Sequence, residues 1–395
     1  MASRYFPMSE YEDRWKKVQD MMKRRGHEVA LVWGKTSGVY ERAGDMIYLS
    51  NFFSTHSGQE PDTVLWNARG FSCIIMQHGK EPELHTDEAE IRTDIVAIKH
   101  CTGTYDVIKA VASSLNQQRI EGKVAFVGTD FMPVKYVRQL EAMTPKIQYV
   151  PDDDLVREVR RIKSKRELEC YREGGHIVTK ALTNLMKAML SGKTEAQAAA
   201  AGAKVIMEAG GTWHRIAVSS GPTVRYLESN PLIGYSTRAA KAGEMFHGFI
   251  YGPVWQGYWI DPGRTAVRGR PSKEQKKMME ANVAIMDKLM AMIKPGVKVK
   301  DVAALGDKLS DASGYVSEVL KTNWPYYGHS NGCMWEYPYI ETRLCKDTDI
   351  FEENMVASVE SFFDRKGVGT AGYETNYIVT KKGIEEITPV RDLWW

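Results

Sequence analysis

The sequence has few of the features that mark a secreted or membrane protein. Its five cysteines are odd in number and widely spaced, and none forms a C-x-x-C pair, so neither a disulfide framework nor a cysteine zinc site is indicated. It also contains no uninterrupted apolar run of about 18 residues, the length needed to span a bilayer. We therefore expect a cytoplasmic protein that does not act on membranes.

The bulk composition is that of an ordinary globular protein. Of the 395 residues, 43% are hydrophobic and 26% are charged, and the formal net charge is only +3. These values are typical of a folded chain with a sizeable core rather than of a disordered or fibrous one. So small a positive balance gives no indication of a nucleic-acid partner.

The first part of the chain alternates between strand-like and helical patterns. The stretches "EVALVWG", "GFSCIIMQ" and "KVAFVGTD" predict buried strands, and "YDVIKAVASSLNQQ" and "PVKYVRQLEAM" predict helices between or after them. A first helix is predicted to open at a capping box, Ser9 to Glu12. The alternation predicts an α/β domain over residues 1–155, and a segment crowded with charges of both signs follows it.

Residues 156–395 predict a second domain made of two similar halves. In each half a pair of helical patterns precedes a group of strand-like segments. The second helix of the first pair opens at a Thr194/Gln197 capping box, and the first helix of the second pair opens at a Ser272/Gln275 box. The fold class predicted for the whole chain is α+β with two domains.

Four polar residues interrupt otherwise apolar or aromatic segments. They are Asp261 in "GYWIDPGRT", His329 in "YYGHSNG", Glu360 in "MVASVESFF" and Glu374 in "GYETNYIVT". Taken singly, each fits an outward-facing strand residue, because every second side chain of a strand points to solvent. Taken together, three carboxylates and one imidazole form the mixed oxygen and nitrogen ligand set that Mn, Fe or Zn accepts.

The order and context of these four residues resemble the creatinase, prolidase and methionine aminopeptidase superfamily. The resemblance implies a creatinase-like N-terminal domain and a C-terminal "pita-bread" domain. It also implies that Asp261, His329, Glu360 and Glu374 are four of the family's five metal ligands. The fifth position falls on an apolar residue, Ile250 by one count and Phe249 by another. We therefore expect one divalent ion, or none, rather than two, and a branch that has left peptide hydrolysis.

Other positions also differ from the family's peptidases. Trp335 stands where they carry a histidine and is expected to contact substrate. Glu228 lies near the position of a second missing histidine. His247 or His214 could replace one imidazole, although a lone histidine on an apolar strand is more often a core residue. Glu336 is a candidate general acid or base, or else an ordinary loop carboxylate.

Substrate recognition is predicted from arginines and from an N-terminal aromatic stretch. Arg225, Arg238 and Arg365 offer guanidinium groups to an anion, unless they are solvated surface charges. In the two-domain branch that the chain resembles, the N-terminal domain of one subunit closes its partner's site. That resemblance implies a homodimer in which Phe53 and His56 line the pocket, although Phe53 is also a plausible core residue.

These features lead to one main hypothesis and three alternatives. The main hypothesis is a hydrolase that cleaves a C–N bond of a small polar, carboxylated compound at a mononuclear site. The alternatives are a lyase of the dimethylsulfoniopropionate-lyase type, an Xaa-Pro peptidase, and a non-catalytic binding module of the same fold.

Overall fold

A computed structural model describes residues 4–36, 42–54, 62–221, 224, 234–324 and 326–391. Contacts within the chain divide it into two compact units, Met1–Arg160 and Arg161–Trp395. The short helix at the end of the first unit packs on that unit's first helix. The predicted division into two domains, residues 1–155 and 156–395, remains a prediction. None of the described helices combines the length and hydrophobicity needed to cross a membrane.

The first unit contains a six-stranded mixed sheet with the order β4-β3-β2-β1-β5-β6. Its strands are β1 (Val29–Lys35), β2 (Phe71–Gln77), β3 (Glu83–Thr86), β4 (His100–Gly103), β5 (Gly122–Val127) and β6 (Ile147–Pro151). Its helices are α1 (Met8–Arg25), α2 (Gly44–Ser50), α3 (Val107–Gln117), α4 (Val134–Met143) and α5 (Leu155–Arg160). The three strands and two later helices predicted for this region are confirmed.

The predicted start of the first helix is wrong. Helix α1 begins at Met8, and its N-cap residue is Pro7, which makes no side-chain capping bond. Proline fixes φ near the helical value and has no N–H to satisfy, so it favours a helix start without a capping side chain. Ser9 and Glu12 therefore lie inside the first turns.

The second unit contains a nine-stranded antiparallel sheet and five helices in its described part. The main strand order is β12-β11-β13-β14-β10-β8-β7, with β15 paired to β14 and β9 paired to β8. The strands are β7 (Arg215–Ser220), β8 (Met245–Trp255), β9 (Tyr258–Ile260), β10 (Gly263–Val267), β11 (Gly328–Asn331), β12 (Trp335–Tyr339), β13 (Val356–Arg365), β14 (Gly369–Thr380) and β15 (Gly383–Glu386). The helices are α6 (Lys165–Leu190), α7 (Glu195–Glu208), α8 (Lys273–Met292), α9 (Val299–Ser313) and α10 (Glu318–Asn323).

The helices of this unit follow the predicted pattern of two pairs. Helices α6 and α7 precede β7 to β10, and α8 and α9 precede β11 to β15. Both predicted capping boxes are present, at Thr194/Gln197 and at Ser272/Gln275. A third box, Ser164/Glu167, opens α6. Each box satisfies two backbone N–H groups that would otherwise lack partners.

The helix pairs of this unit pack against one face of the large sheet. Side chains of α8 and α9 form one core with Val359, Phe363 and Tyr373 of β13 and β14. Gly248 of β8 lies directly against Leu185 of α6. Because successive strand residues point to opposite faces, the intervening positions of these strands face away from α6, α8 and α9.

That second face carries a row of residues at one level of the sheet. Glu360 pairs with Glu374, Glu374 with Gly263, Gly263 with Phe249, and Phe249 with Ala217. Residues paired across antiparallel strands lie on the same face. Two glutamates and Phe249 therefore face the same side, with Gly263 between them.

The absence of a side chain at Gly263 is required by this packing, so we predict that Gly263→Ala is strongly destabilising. A Cβ there would overlap the ring of Phe249. Overpacking a buried site costs about 3 kcal/mol at the upper end of the usual range. The measurement is the midpoint of thermal unfolding. Gly383→Ala on β15 is the control, because its Cβ would meet no atom closer than 4.0 Å. Equal midpoints for the two variants would contradict the packing described here.

Candidate metal centre

Four residues predicted from the sequence converge at one buried point. Asp261 lies between β9 and β10, His329 on β11, Glu360 on β13 and Glu374 on β14. Nε2 of His329 lies 3.2 Å from Oδ2 of Asp261, 3.7 Å from Oε1 of Glu374 and 3.8 Å from Oε1 of Glu360. All four residues are at most 4% exposed, so the predicted set is brought together and the outward-facing alternative does not apply.

The imidazole of His329 is oriented by backbone and hydroxyl groups. Its Nδ1 lies 3.1 Å from the carbonyl oxygen of Ser330, which can only accept, so Nδ1 carries the donated proton. Nε2 is then the nitrogen that faces the carboxylates, and the hydroxyl of Ser358 lies 3.2 Å from it. A histidine held through its other nitrogen in this way is the usual arrangement of a metal ligand.

Burial and mutual charge shift the acidity of every member of the cluster. Burial raises the pKa of Glu360 to about 7, and burial together with the nearby charge of Asp261 raises the pKa of Glu374 well above its usual value. Burial opposes ionisation of Asp261, but the charge and hydrogen bond of His329 outweigh it and lower the pKa of Asp261. Burial alone would lower the pKa of His329, yet the surrounding carboxylates raise it.

Asp261 is held by four N–H donors. The indoles of Trp259 and Trp335 donate to its Oδ2 at 2.7 and 3.1 Å. The side-chain amides of Asn331 and Asn376 donate to its Oδ1 at 3.0 and 2.5 Å. Hydrogen bonds to the charged form favour it, so these donors keep the carboxylate ionised and fix its orientation.

The donor set fits one divalent cation. Ligand atoms of Asp261, His329 and Glu374 all lie within 4.8 Å of one another. Oε1 of Glu374 is buried and makes no hydrogen bond to the described residues, although buried polar atoms normally have a partner. Carboxylate oxygens and imidazole nitrogen suit Mn, Fe or Zn. A cation would also remove the repulsion that raises the pKa values of the two glutamates.

The apolar position that replaces a fifth carboxylate is Phe249 rather than Ile250. Phe249 shares the face and the row of the two glutamates, and its ring stacks on Phe362 with centroids 5.5 Å apart. Ile250 points to the opposite face, where a Cβ on Gly202 of α7 would touch its Cδ1 at 3.6 Å. An aromatic ring therefore stands where a carboxylate would be needed for a second ion.

Glu336 does not join the cluster. It follows Trp335 on β12, and alternation along the strand directs it to the other face. There its Oε2 lies 3.5 Å from Nζ of Lys163, and both side chains are fully buried. This placement makes Glu336 part of a buried ion pair with Lys163 rather than a member of the cluster.

The two histidines proposed as replacements lie apart from the carboxylates. His247 shares the face of Phe249 and contacts its ring edge, but its Nε2 is 2.6 Å from the carbonyl oxygen of Thr370. His214 is exposed and lies near Trp259, with ring centroids 6.4 Å apart.

The predicted substrate-binding residues are distributed differently from expectation. Trp335 reaches the cluster through its bond to Asp261, and its ring lies 4.5 Å from that of His329. Arg238 bonds Ser220 and Glu244, and Arg365 pairs with Glu274, so neither faces the carboxylates. Phe53 is half-buried within the first unit. His56, Arg225 and Glu228 lie outside the described residues.

Sequence reasoning missed the residues that surround the cluster. They are Trp259 and Asn376, which follow the period-2 pattern from Asp261 and Glu374, and Asn331, two positions after His329. Trp324 was also missed, and its Nε1 donates to Oε2 of Glu360 at 3.1 Å. The i, i+2 spacing was a usable signal, because such residues share one strand face.

This fold and cluster are those of a metal-dependent hydrolase of the pita-bread class, and the comparisons identify the family. The model of metallopeptidase family M24 matches residues 169–381. The chain belongs to this family, and it is a hydrolase of the creatinase and prolidase superfamily. The predicted superfamily is thereby confirmed, whereas nothing in the comparisons singles out a non-peptidase branch.

Individual relatives cover most of the chain at low identity. The Xaa-Pro dipeptidase of Pyrococcus horikoshii is 23% identical over 262 residues, which are 65% of this chain and 71% of the relative. The solved prolidase from Thermococcus sibiricus has a TM-score of 0.77 at 21% identity and covers 96% of this chain and 97% of its own. Dipeptidase PepE from Mycobacterium ulcerans has a TM-score of 0.74 at 20% identity, with 98% of both chains covered.

We predict that the protein binds about one divalent ion per chain and loses it in His329→Ala. The imidazole supplies the only nitrogen ligand of the described cluster, and its removal leaves three buried carboxylates without their central donor. Metal content after purification without chelator is the measurement. His176→Ala, on the exposed side of α6, is the control and should retain the ion. Two ions in the unmodified protein would show that the set of ligands is incomplete.

A second prediction concerns the position of the lost ligand. Phe249→Asp places a carboxylate in the row beside Gly263 and Glu374, so metal content should rise from about one toward two ions per chain. Phe249→Asn has nearly the same volume and removes the same ring, but it adds no charge, and its metal content should stay unchanged. Equal metal content in the two variants would contradict the assignment of Phe249 to this position.

Proposed function

We propose that the protein is a single-ion dipeptidase that hydrolyses the peptide bond of small substrates of the Xaa-Pro class. The observation that carries the proposal is the buried cluster of Asp261, His329, Glu360 and Glu374, which offers a complete ligand set for one ion. The names of the relatives, Xaa-Pro dipeptidase, prolidase and dipeptidase PepE, support a peptide substrate over the small C–N compound first expected.

The four residues would hold the ion, and its chemistry when bound is to polarise a carbonyl group and lower the pKa of water. Glu360 is the group best suited to accept a proton. Its Oε2 accepts a hydrogen bond from Trp324 and its Oε1 faces His329, so its position beside the ion would be fixed. A general base must lie within hydrogen-bond reach of the proton that it accepts.

The hydrogen bonds around Asp261 contribute to positioning. Its two oxygens are held from four directions by Trp259, Trp335, Asn331 and Asn376. A carboxylate held this firmly needs little reorganisation when charge develops beside it. The indole rings also cover the cluster and exclude water, which strengthens electrostatic interactions within it.

A second candidate is hydrolysis of a non-peptide C–N bond in a small polar compound. The observation that favours it is Trp335, because an indole committed to Asp261 replaces the imidazole expected of the peptidases. No described arginine faces the cluster, so a carboxylate on that compound would need another partner. The lyase and the non-catalytic binding module have no comparable observation in their favour within the described residues. The cytoplasmic location and the homodimer remain predictions.

We predict that the Mn-loaded protein releases proline from dipeptides, and that Glu360→Gln lowers kcat by about 100-fold or more, as expected for loss of a general base. The measurement is steady-state release of the amino acid from Ala-Pro and from Ala-Ala. Glu353→Gln, on the exposed turn before β13, should leave kcat unchanged.

Two outcomes would contradict parts of this proposal. One is turnover of an amidine or betaine with none of any dipeptide, which would establish the second candidate instead. The other is a full kcat in Glu360→Gln, which would remove Glu360 from proton transfer.

A further inference from the structure

Strands β11 and β12 form a hairpin, residues 328–339, that carries much of the candidate metal centre. Three of its side chains, His329, Asn331 and Trp335, contact Asp261. Strand β12 lies at the end of the strand order and pairs with β11, and none of the other described strands pairs with it. The position of the hairpin therefore depends strongly on the contacts of its opposite face.

A buried ion pair contacts the hairpin on that opposite face. Glu336 follows Trp335 in β12, and its Oε2 lies 3.5 Å from Nζ of Lys163, which precedes α6. Both side chains are at most 1% exposed. Nζ of Lys163 also donates to the carbonyl oxygen of Arg161 at 3.1 Å, and its backbone N–H donates to the carbonyl oxygen of Asn354 at 3.0 Å. Lys163 thus joins the hairpin to the chain before α6 and to the segment before β13.

The turn of the hairpin packs closely against this pair. A Cβ on Gly332 would overlap the carboxylate of Glu336, so the two residues are in direct contact. The carbonyl oxygen of Gly332 accepts hydrogen bonds from the hydroxyl of Tyr171 on α6 at 3.0 Å and from the backbone N–H of Trp259 at 2.8 Å. The indole of Trp259 in turn donates to Asp261. Contacts therefore run without interruption from the ion pair through the turn to Asp261.

We propose that Lys163 is a positioning residue for the metal centre. Its ion pair with Glu336 fixes the hairpin, so that His329 and Trp335 stay directed toward the cluster. The proposal rests on the single ion of the proposed function but not on its substrate. A charged hydrogen-bonded pair has a preferred direction, whereas apolar packing is non-directional. Because ligands must be held to within about 0.5 Å of their working geometry, a hairpin held by packing alone should bind the ion more weakly.

The first test separates positioning from stability. Lys163→Met leaves the carboxylate of Glu336 buried without this cation, so the midpoint of thermal unfolding should fall. The double variant Lys163→Met/Glu336→Gln removes both charges of the pair, and its midpoint should recover most of that loss. Its dissociation constant for Mn²⁺, measured by calorimetry, should nevertheless stay about tenfold above that of the unmodified protein, the effect of roughly 1.4 kcal/mol. Recovery of both quantities would show that the pair is purely structural and would overturn the proposal.

The matched control is the double variant Arg161→Met/Glu352→Gln. This pair also joins the chain before α6 to the segment before β13, with Nη2 of Arg161 2.6 Å from Oε2 of Glu352, but its side chains are 31% and 37% exposed. Neither the unfolding midpoint nor the Mn²⁺ affinity should change appreciably, because exposed ion pairs contribute little. Equal weakening of Mn²⁺ binding in the two double variants would overturn the proposal.

The second test observes the hairpin in the metal-free protein. The indole N–H of Trp335 is assigned by the loss of its NMR signal in Trp335→Phe, and its exchange with solvent is then measured. Exchange should be about tenfold faster in Lys163→Met/Glu336→Gln than in the unmodified protein, because the hairpin opens more readily. The indole N–H of Trp33, in the first unit, is the internal reference and should exchange as before.

A further variant keeps this test decisive if the double variant does not fold. Glu336→Asp retains the negative charge but draws the carboxylate back from Lys163 by one methylene group, and exchange of the Trp335 indole should again be faster. Unchanged exchange in a folded variant of the pair would overturn the proposal. If the unmodified protein binds no Mn²⁺, the proposed single ion has failed, whereas the indole exchange still decides whether the pair positions the hairpin.

Discussion

The burial of three carboxylates around one imidazole is the constraint on which the second unit depends. Such a group is costly in a low-dielectric interior unless hydrogen bonds or a cation compensate its charge. The structure meets this cost by hydrogen bonds to the carboxylates, with two indoles and two amides on Asp261 and a third indole on Glu360. Oε1 of Glu374 accepts no hydrogen bond from the described residues. A divalent ion bound there would compensate its charge.

The register of the antiparallel strands decides which side chains lie together at the site. Glu360, Glu374, Gly263 and Phe249 occupy consecutive strands at one level, so one row contains two ligand candidates, a gap and an aromatic ring. A shift of one residue would turn these side chains to the helical face. Phe249 therefore occupies this row without disturbing the sheet, and the expectation of one ion rather than two rests on its position.

The chain combines family membership with a site that departs from the family's pattern. Trp335 replaces an imidazole by an indole, and that indole supports Asp261 rather than standing free for the substrate. Trp324 has a similar double role, because it bonds Glu360 on one side and lines a cavity on the other. Tryptophan suits such positions, since it joins a large apolar face to one N–H donor. The same indole that holds a carboxylate therefore also forms part of the wall of that cavity.

The sequence by itself determined the helix pairs of the second unit, several strands of both units and the four residues that form the cluster. These follow from local patterns, capping boxes and polar residues inside apolar strands, which act over a few positions. Tertiary structure alone decided which of Phe249 and Ile250 faces the cluster, because a local count cannot establish strand register. It also decided that Glu336 turns to Lys163, and that Trp259, Asn331 and Asn376 gather on Asp261. Apart from Trp259, which is two positions from Asp261, these contacts join residues 70 to 173 positions apart, and only the pairing of distant strands brings them together.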